Sequence, residues 1–326
     1  MSAIQSQSRK SLMLFSGRAH PELAEEIARE VGVTVTPTSA YDFADGEIYV
    51  RYEESVRGCD AFVIQSHTAP INMWLMESLI MVDALKRASA NRITVVAPYY
   101  PYARQDKKHR GREPISARLV ADLFERAGAE RIMAVDLHTA QIQGFFNGPV
   151  DHLFAGPLLA DYVRDRYGER EVTIVAPDSG RVRVAEQWTD RLGGCPLAFI
   201  HKTRDQFVPN KVQVNRVVGD VAGRVCVIVD DMITSGSTIT KAAEAVQAAG
   251  ASQIVAAVTH GVLTSDAVDR LKNSPLAEVV LTNTLPIPSE RQLDKLTVIS
   301  IAPIIARAIR EVFEDGSVTS LFGGAS

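Results

Sequence analysis

The sequence predicts an α/β protein of two tandem domains, each a mainly parallel sheet flanked by helices. Three observations lead to this prediction. Short apolar runs rich in β-branched residues alternate with amphipathic helical patterns along the chain. The length of 326 residues exceeds what one hydrophobic core usually organises. Residues 56–66 and 221–231 also share one pattern, a glycine-containing turn followed by a buried strand.

The first half of the sequence opens with a strand at 12–15 and a helix whose apolar residues share one face. A turn at 43–47 leads to residues 48–52, whose alternation suits a hairpin. Further strands are predicted at 61–64, 93–97 and 132–135, and helices at 73–88 and 115–127. Between them lies a long polar segment, 98–114, and loops of this length are usually functional or disordered.

The second half repeats the rhythm of strands and helices. Strands are predicted at 172–176, 197–200, 225–229, 254–258, 279–281 and 298–301, and helices before residue 192, at 239–249 and at 304–313. We therefore expect an N-terminal domain at 1–150 and a C-terminal domain at 151–326, with the last helix a candidate to pack on the N-terminal domain. The pattern shared by residues 56–66 and 221–231 indicates that the two halves arose by duplication. The alternative is that any two βαβ units look alike.

Composition narrows the class of protein. Hydrophobic residues are 46% of the chain, charged residues are 23%, and the net charge of −4 provides no basic field for nucleic acid. The three cysteines show no CxxC spacing, which favours a reducing compartment and no disulfide framework. No signal peptide and no apolar segment of spanning length is recognisable, so we expect a cytoplasmic protein without a membrane partner.

Residues 224–240 carry the clearest chemistry in the sequence. Asp230 and Asp231 follow the predicted strand, and a hydroxyl-rich loop then opens a helix. The backbone N–H groups, hydroxyls and helix dipole of such a loop suit a phosphate, and the aspartates suit ribose hydroxyls or Mg²⁺. A strand followed by a well-capped helix is the alternative, although paired aspartates at a buried strand end are costly without a partner.

Seven motifs then resemble, in order, those of the ribose-phosphate diphosphokinase (phosphoribosyl diphosphate synthetase) family, class I bacterial type. They are FADGE at 43–47, YARQDKK at 102–108, REPIS at 112–116, DLHTAQIQGFF at 136–146, PDSG at 177–180, HKTR at 201–204 and the segment 224–240. The resemblance covers nearly the whole chain. It implies two phosphoribosyltransferase-like domains and transfer of the diphosphoryl group of ATP to the C1 hydroxyl of ribose 5-phosphate, with release of AMP.

The resemblance also implies roles for individual residues in the first half of the chain. The ATP-binding residues are expected to be Phe43, Asp45, Glu47, Arg104 and Gln105. His138 matches a Mg²⁺ position of the family. The chain lacks the GxxxxGK[ST] motif of P-loop kinases, so its residues alone do not identify ATP as a substrate.

In the second half, Asp178 matches the other Mg²⁺ position. Lys202 and Arg204 match the catalytic loop, where cations would stabilise the charge that develops during diphosphoryl transfer. Ribose 5-phosphate is expected at Arg204, Asp230, Asp231, Thr234, Ser235, Gly236, Ser237 and Thr238. The family usually has an aspartate where this chain has Thr234, which leaves turnover in question.

Regulation and assembly are implied by resemblance only. Family members are similar in forming hexamers that phosphate activates and ADP inhibits, and the matching segments here are Ser55, Arg57, Arg110, Arg112 and residues 317–322. Two other functions stay open at this point. The pattern at 234–236 fits a phosphoribosyltransferase, but the ATP-type motifs do not. The loss of the acid at Thr234 fits a non-catalytic regulatory homologue.

Overall fold

The computed structural model describes residues 10–203, 214–264 and 266–322, and for residues 202, 203, 214 and 215 it describes the backbone alone. The described chain forms two compact units, residues 10–153 with 302–322 and residues 154–301. None of the helices within these described ranges has the length and apolar character that a membrane span requires.

The first unit is built on a five-stranded parallel sheet. Its elements are β1 (Leu12–Ser16), α1 (Pro21–Val31), β2 (Thr38–Asp42), β3 (Ile48–Tyr52), β4 (Asp60–Ile64), α2 (Ile71–Arg87), β5 (Arg92–Ala97), α3 (Ser116–Ala127), β6 (Arg131–Val135) and β7 (Val150–Leu153). The strand order is β1-β4-β5-β6-β7, and β2 and β3 form a separate antiparallel hairpin. Every residue of β4 is buried, as expected for a central parallel strand covered on both faces.

The second unit holds a seven-stranded sheet. Its elements are α4 (Gly156–Tyr167), β8 (Val172–Ala176), α5 (Val182–Arg191), β9 (Leu197–Thr203), β10 (Val214–Val218), β11 (Val225–Ile233), α6 (Ser237–Ala248), β12 (Gln253–Gly261), α7 (Ala267–Lys272), β13 (Glu278–Thr282) and β14 (Leu296–Ile299). The order is β10-β9-β8-β11-β12-β13-β14, parallel except for β10, which is antiparallel to β9. The predicted α/β class with mainly parallel sheets is confirmed.

The last helix, α8 (Ala302–Phe313), belongs to the first unit, where it packs on α1. The predicted boundary between residues 150 and 151 lies inside β7, which pairs with β6. The sequence places this boundary too early because β7 is only four residues long, too short to show a strand pattern. The range 151–326 includes α8, which the sequence analysis names as a candidate to pack on the N-terminal domain and which is part of the first unit.

The strand β11 is longer than the predicted 225–229. It pairs with β8 only from Val225 to Ile228, whereas its pairing with β12 continues to Ile233. Asp230 and Asp231 therefore lie within β11, in the part that extends past β8. The following helix begins at Ser237 instead of residue 239, and Gly236 precedes it with a φ of 75°. Glycine adopts this left-handed conformation without the steric strain that a Cβ would bring.

The contact between α1 and α8 generates a stability prediction. Arg310 Nη2 donates to the carbonyl oxygens of Glu30 (2.6 Å) and Val31 (3.0 Å) at the C-terminus of α1. Because a cation at this position satisfies unpaired carbonyls and the helix dipole, Arg310→Met is expected to lower the free energy of unfolding by about 1 kcal/mol. Urea titration followed by circular dichroism measures this change.

The control is Arg307→Met on the same helix. Arg307 is exposed, and its Nε donates to the Pro303 carbonyl one turn earlier in the same helix. An equal loss of stability in the two variants would show that the contact with α1 has no special effect.

Candidate functional site

The carboxyl end of the second sheet brings together acidic, basic and hydroxyl groups. Asp230 and Asp231 lie on the extension of β11, and Arg181 lies in the short helical turn Ser179–Arg181 that follows β8. Because β8 and β11 are parallel neighbours, their carboxyl ends meet at the same edge of the sheet. The loop 234–236 and the N-terminus of α6 continue directly from β11.

Arg181 binds both aspartates. Its Nε lies 2.9 Å from Asp230 Oδ1 and its Nη2 lies 2.6 Å from Asp231 Oδ1. The side chains are 17%, 11% and 8% exposed for Arg181, Asp230 and Asp231, so water screens these contacts weakly. The backbone N–H of Asp231 also donates to Asp230 Oδ1 at 2.9 Å.

The electrostatics of this pair are unusual. Burial and the neighbouring Asp231 carboxylate raise the pKa of Asp230 to about 7, and the Arg181 guanidinium opposes the rise. Two carboxylates this close titrate as one coupled unit. Near neutral pH the pair therefore exchanges a proton, although an isolated aspartate is fully ionised there.

Below the acid pair, the loop before α6 is well placed for an anion. The first N–H groups of a helix have no partner within the helix and point out of its N-terminus. Ser235 and Ser237 are half-buried there, and Thr238 is exposed. The Thr234 carbonyl accepts from Thr264 N at 2.9 Å, which holds the loop against the segment after β12.

Asp178 lies directly after β8 in an extended conformation, with a φ of −162° and a ψ of 174°. Its Oδ1 accepts from Gly180 N at 3.0 Å. A half-buried carboxylate at this edge is the type of oxygen donor that Mg²⁺ prefers. Within the described ranges, no group of three or more His, Cys, Asp or Glu side chains is arranged to hold a metal ion.

The hairpin of the first unit presents the predicted motif at 43–47. Phe43 N donates to the Glu47 carbonyl at 2.8 Å, Gly46 N donates to the Phe43 carbonyl at 2.9 Å, and Asp45 Oδ1 accepts from Glu47 N at 3.2 Å. These bonds fix the turn. The Phe43 ring is 46% exposed and contacts Tyr41 and Tyr49 edge-on, so one face is available for stacking.

Arg104 and Gln105 lie on the loop between β5 and α3 and are exposed. The adjacent Asp106, in contrast, is 4% exposed. Its Oδ2 accepts from Thr139 Oγ1 and from Gln141 Nε2, both at 2.6 Å. Asp106 therefore ties the loop to the segment after β6, a role that the sequence did not reveal because Asp106 is one of many charges in a polar run.

His138 lies in this same segment after β6 and is half-buried. Asp136 has a φ of 36°, and Leu137 N donates to His152 Nε2 at 2.9 Å. A positive φ is strained for aspartate, and such strain is concentrated at functional sites. Of the residues predicted to be catalytic, Lys202 lies at the end of β9 with only its backbone described, and Arg204 lies outside the described residues.

The corresponding edge of the first unit is filled by the protein itself. Gln65, which aligns with Asp230, is 1% exposed, and its Nε2 donates to Glu77 Oε1 at 2.9 Å. Arg18 binds the fully buried Glu77 through its backbone N–H (2.7 Å) and Nε (2.5 Å). A Cβ at Gly17 would lie 2.3 Å from the Gln65 amide, so little space remains there.

Comparison with known proteins identifies related chains. Residues 12–128 match a model of the N-terminal domain of ribose phosphate pyrophosphokinase, and residues 203–323 match a model of the phosphoribosyl synthetase-associated domain. Ribose-phosphate pyrophosphokinases from Streptomyces coelicolor and Mycobacterium tuberculosis are 67% and 62% identical, and each alignment covers 99% of both chains.

A solved structure gives the same result. The crystal structure of phosphoribosylpyrophosphate synthetase from Mycobacterium smegmatis is similar with a TM-score of 0.90 and 60% identity, over 94% of this chain and 100% of that chain. The chain therefore belongs to the ribose-phosphate pyrophosphokinase family.

Proposed function

We propose that the carboxyl end of the second sheet is the ribose 5-phosphate site of an enzyme that makes 5-phosphoribosyl 1-diphosphate. The chain transfers the diphosphoryl group of ATP to the C1 hydroxyl of ribose 5-phosphate and releases AMP. The observation that supports the site most strongly is the extension of β11, which places a buried acid pair beside Arg181 and above the N-terminus of α6.

Each part of this edge suits one part of the sugar phosphate. The loop from Thr234 to Thr238 and the N–H groups at the start of α6 bind the 5-phosphate. Asp230 and Asp231 accept hydrogen bonds from the ribose hydroxyls. The first unit has Gln65 and Glu77 at the equivalent edge, which supports a single sugar-phosphate site in the second unit.

In the first unit, the residues that we propose for ATP are Phe43, Asp45, Glu47, Arg104 and Gln105. The exposed Phe43 ring supplies a surface on which adenine stacks, and Arg104 supplies a planar fork for phosphate oxygens. Lys202 and Arg204 are the proposed catalytic cations, and Arg204 also contacts ribose 5-phosphate. Their charges would stabilise the transferring diphosphoryl group.

The enzymes of this family are of the kinase type, which generally requires a metal ion, and we propose Mg²⁺. Asp178 fits as an oxygen ligand, and His138 is the second proposed ligand, although nitrogen suits Mg²⁺ less well. Bound to ATP, the ion would neutralise phosphate charge. The described residues form no cluster of three ligands, so we expect phosphate and water oxygens to complete its coordination.

We propose further that residues 1–150 and 151–326 correspond to the two phosphoribosyltransferase-like domains, with all of β7 and the helix α8 assigned to the first domain. We also propose that the protein is a cytoplasmic homo-hexamer. Phosphate would activate it and ADP would inhibit it. Ser55, Arg57, Arg110, Arg112 and residues 317–322 are the candidate effector contacts.

The direct test of function is product formation. The purified full-length chain is incubated with ATP, Mg²⁺ and ribose 5-phosphate, and AMP is followed by chromatography. We expect AMP to form only when the sugar phosphate is present. Absence of AMP at every concentration of added inorganic phosphate, the proposed activator, would contradict the proposed activity.

Asp106 generates a second prediction. Asp106→Asn keeps the size of the side chain but removes its negative charge, so the hydrogen bonds that Oδ2 accepts from Thr139 and Gln141 lose their charge assistance. The loop bearing Arg104 and Gln105 is then held less firmly, and we expect KM for ATP to rise about fivefold or more. Glu113→Gln is the control, since among the described residues Glu113 accepts from His109 N and Arg110 N within the exposed part of the loop. An unchanged KM for ATP in Asp106→Asn would contradict the idea that Asp106 anchors this loop for ATP binding.

A third prediction concerns pH. Because the pKa of Asp230 is raised to about 7, its proton is retained below that pH and the ionised pair exists only above it. Affinity for ribose 5-phosphate is therefore expected to increase as pH rises through 7, beyond the change from ionisation of the substrate phosphate near pH 6. Calorimetric titration at several pH values measures this. In Asp230→Asn, only ionisation of the substrate phosphate should change the affinity with pH. Identical pH curves for this variant and the unmodified protein would contradict the role of Asp230.

Thr234 generates a fourth prediction. A carboxylate in its place brings negative charge toward the bound sugar phosphate but restores the residue usual in the family. We expect Thr234→Asp to change kcat or KM for ribose 5-phosphate without abolishing activity, and steady-state kinetics decide this. Thr264→Ser is the matched control, since it keeps the hydroxyl that contacts the Thr234 carbonyl. If both constants stayed the same in Thr234→Asp, the missing acid would have no functional effect.

A further inference from the structure

Arg181 is a half-buried cation at the sugar-phosphate edge that neither the sequence motifs nor the assigned roles include. It comes from the turn before α5, whereas both of its partners come from β11. One guanidinium contacts two carboxylates through different nitrogens, Nε to Asp230 (2.9 Å) and Nη2 to Asp231 (2.6 Å). This fork geometry restricts both carboxylates at once, which a single ammonium group does less well.

Among the described side chains around the acid pair, Arg181 is a cation that contacts both carboxylates. On β12, the neighbouring His260 is 1% exposed and its Nδ1 lies 2.8 Å from Thr284 Oγ1. The strand β8 contributes only uncharged residues. The charged side chains of the nearer parts of α5 and α6 are exposed, namely Arg183, Glu186, Lys241 and Glu244. Among the described side chains, Asp231 and Arg181 are the charges that act on the pKa of Asp230.

We propose that Arg181 is a positioning residue of the ribose 5-phosphate site, holding Oδ1 of Asp230 and of Asp231 so that the pair meets the ribose hydroxyls in one orientation. This inference rests on the proposed function of the acid pair. Without Arg181, two adjacent buried carboxylates repel each other, and the pair gains a proton instead.

The role predicts a selective effect on one substrate. Loss of charge-assisted hydrogen bonds of this kind corresponds to roughly a tenfold to hundredfold change in an equilibrium constant. We therefore expect Arg181→Met to raise KM for ribose 5-phosphate at least about tenfold while KM for ATP changes less than about twofold. Arg181→Lys retains the charge without the fork and should restore part of the loss.

The experiment is steady-state kinetics on the full-length enzyme with Mg²⁺, varying each substrate at saturation of the other. Arg191→Met, at the exposed far end of α5, is the control for loss of an arginine. Circular dichroism establishes that each variant is folded. The acidic limb of the pH profile of kcat/KM for ribose 5-phosphate should also move to higher pH in Arg181→Met. Where the methionine variant does not fold, Arg181→Lys carries the same comparison.

Three results would overturn the positioning role: an unchanged KM for ribose 5-phosphate, equal changes in KM for both substrates, or no difference between the lysine and methionine variants. Asp230→Asn, measured in parallel, separates this outcome from failure of the site itself. If Asp230→Asn raises KM for ribose 5-phosphate and Arg181→Met does not, only the role of Arg181 is lost. If Asp230→Asn also leaves this KM unchanged, the site assignment is wrong.

Discussion

Two carboxylates buried side by side destabilise a fold unless a cation lies beside them, and the second unit meets this constraint with Arg181. The arrangement depends on strand lengths. Because β11 extends past β8, its Asp230 and Asp231 reach beyond the apolar part of the sheet while the turn after β8 brings Arg181 to them. The same extension places the following loop and the N-terminus of α6 beneath the acids. One difference in strand length thus organises the whole edge.

The two units treat the same edge of a parallel sheet in different ways. In the second, the acids lie on the strand, and their arginine comes from the neighbouring turn. In the first, the neutral Gln65 directly follows the strand β4, and the buried acid, Glu77, comes from α2, where Arg18 and Gln65 satisfy it. The guanidinium of Arg18 also lies 2.6 Å from Asp42, the last residue of β2 before the turn of the hairpin. At this edge of the first unit, Arg18 therefore connects Glu77 to the hairpin that bears Phe43.

Much of the fold could be predicted from sequence because buried parallel strands are continuous apolar runs, as in 61–64 and 172–176. What failed depends on tertiary pairing. The end of β11 is polar in sequence, and only its partner β12 makes residues 230–233 a strand. In the same way, β7 is too short to recognise. The candidate acids and the phosphate loop were found from residue type and spacing, whereas Arg181 and Asp106 were not, because their significance lies in contacts between distant segments.

The central claim is that the acid pair on β11 and the loop before α6 bind one ribose 5-phosphate. Crystals of the full-length enzyme soaked in ribose 5-phosphate without nucleotide test it directly. We predict density for one sugar phosphate in each chain, with ribose hydroxyls hydrogen-bonded to Asp230 and Asp231 and the phosphate at residues 234–238. Density for the sugar at the Gln65 edge, or a ribose that contacts neither aspartate, would contradict the account.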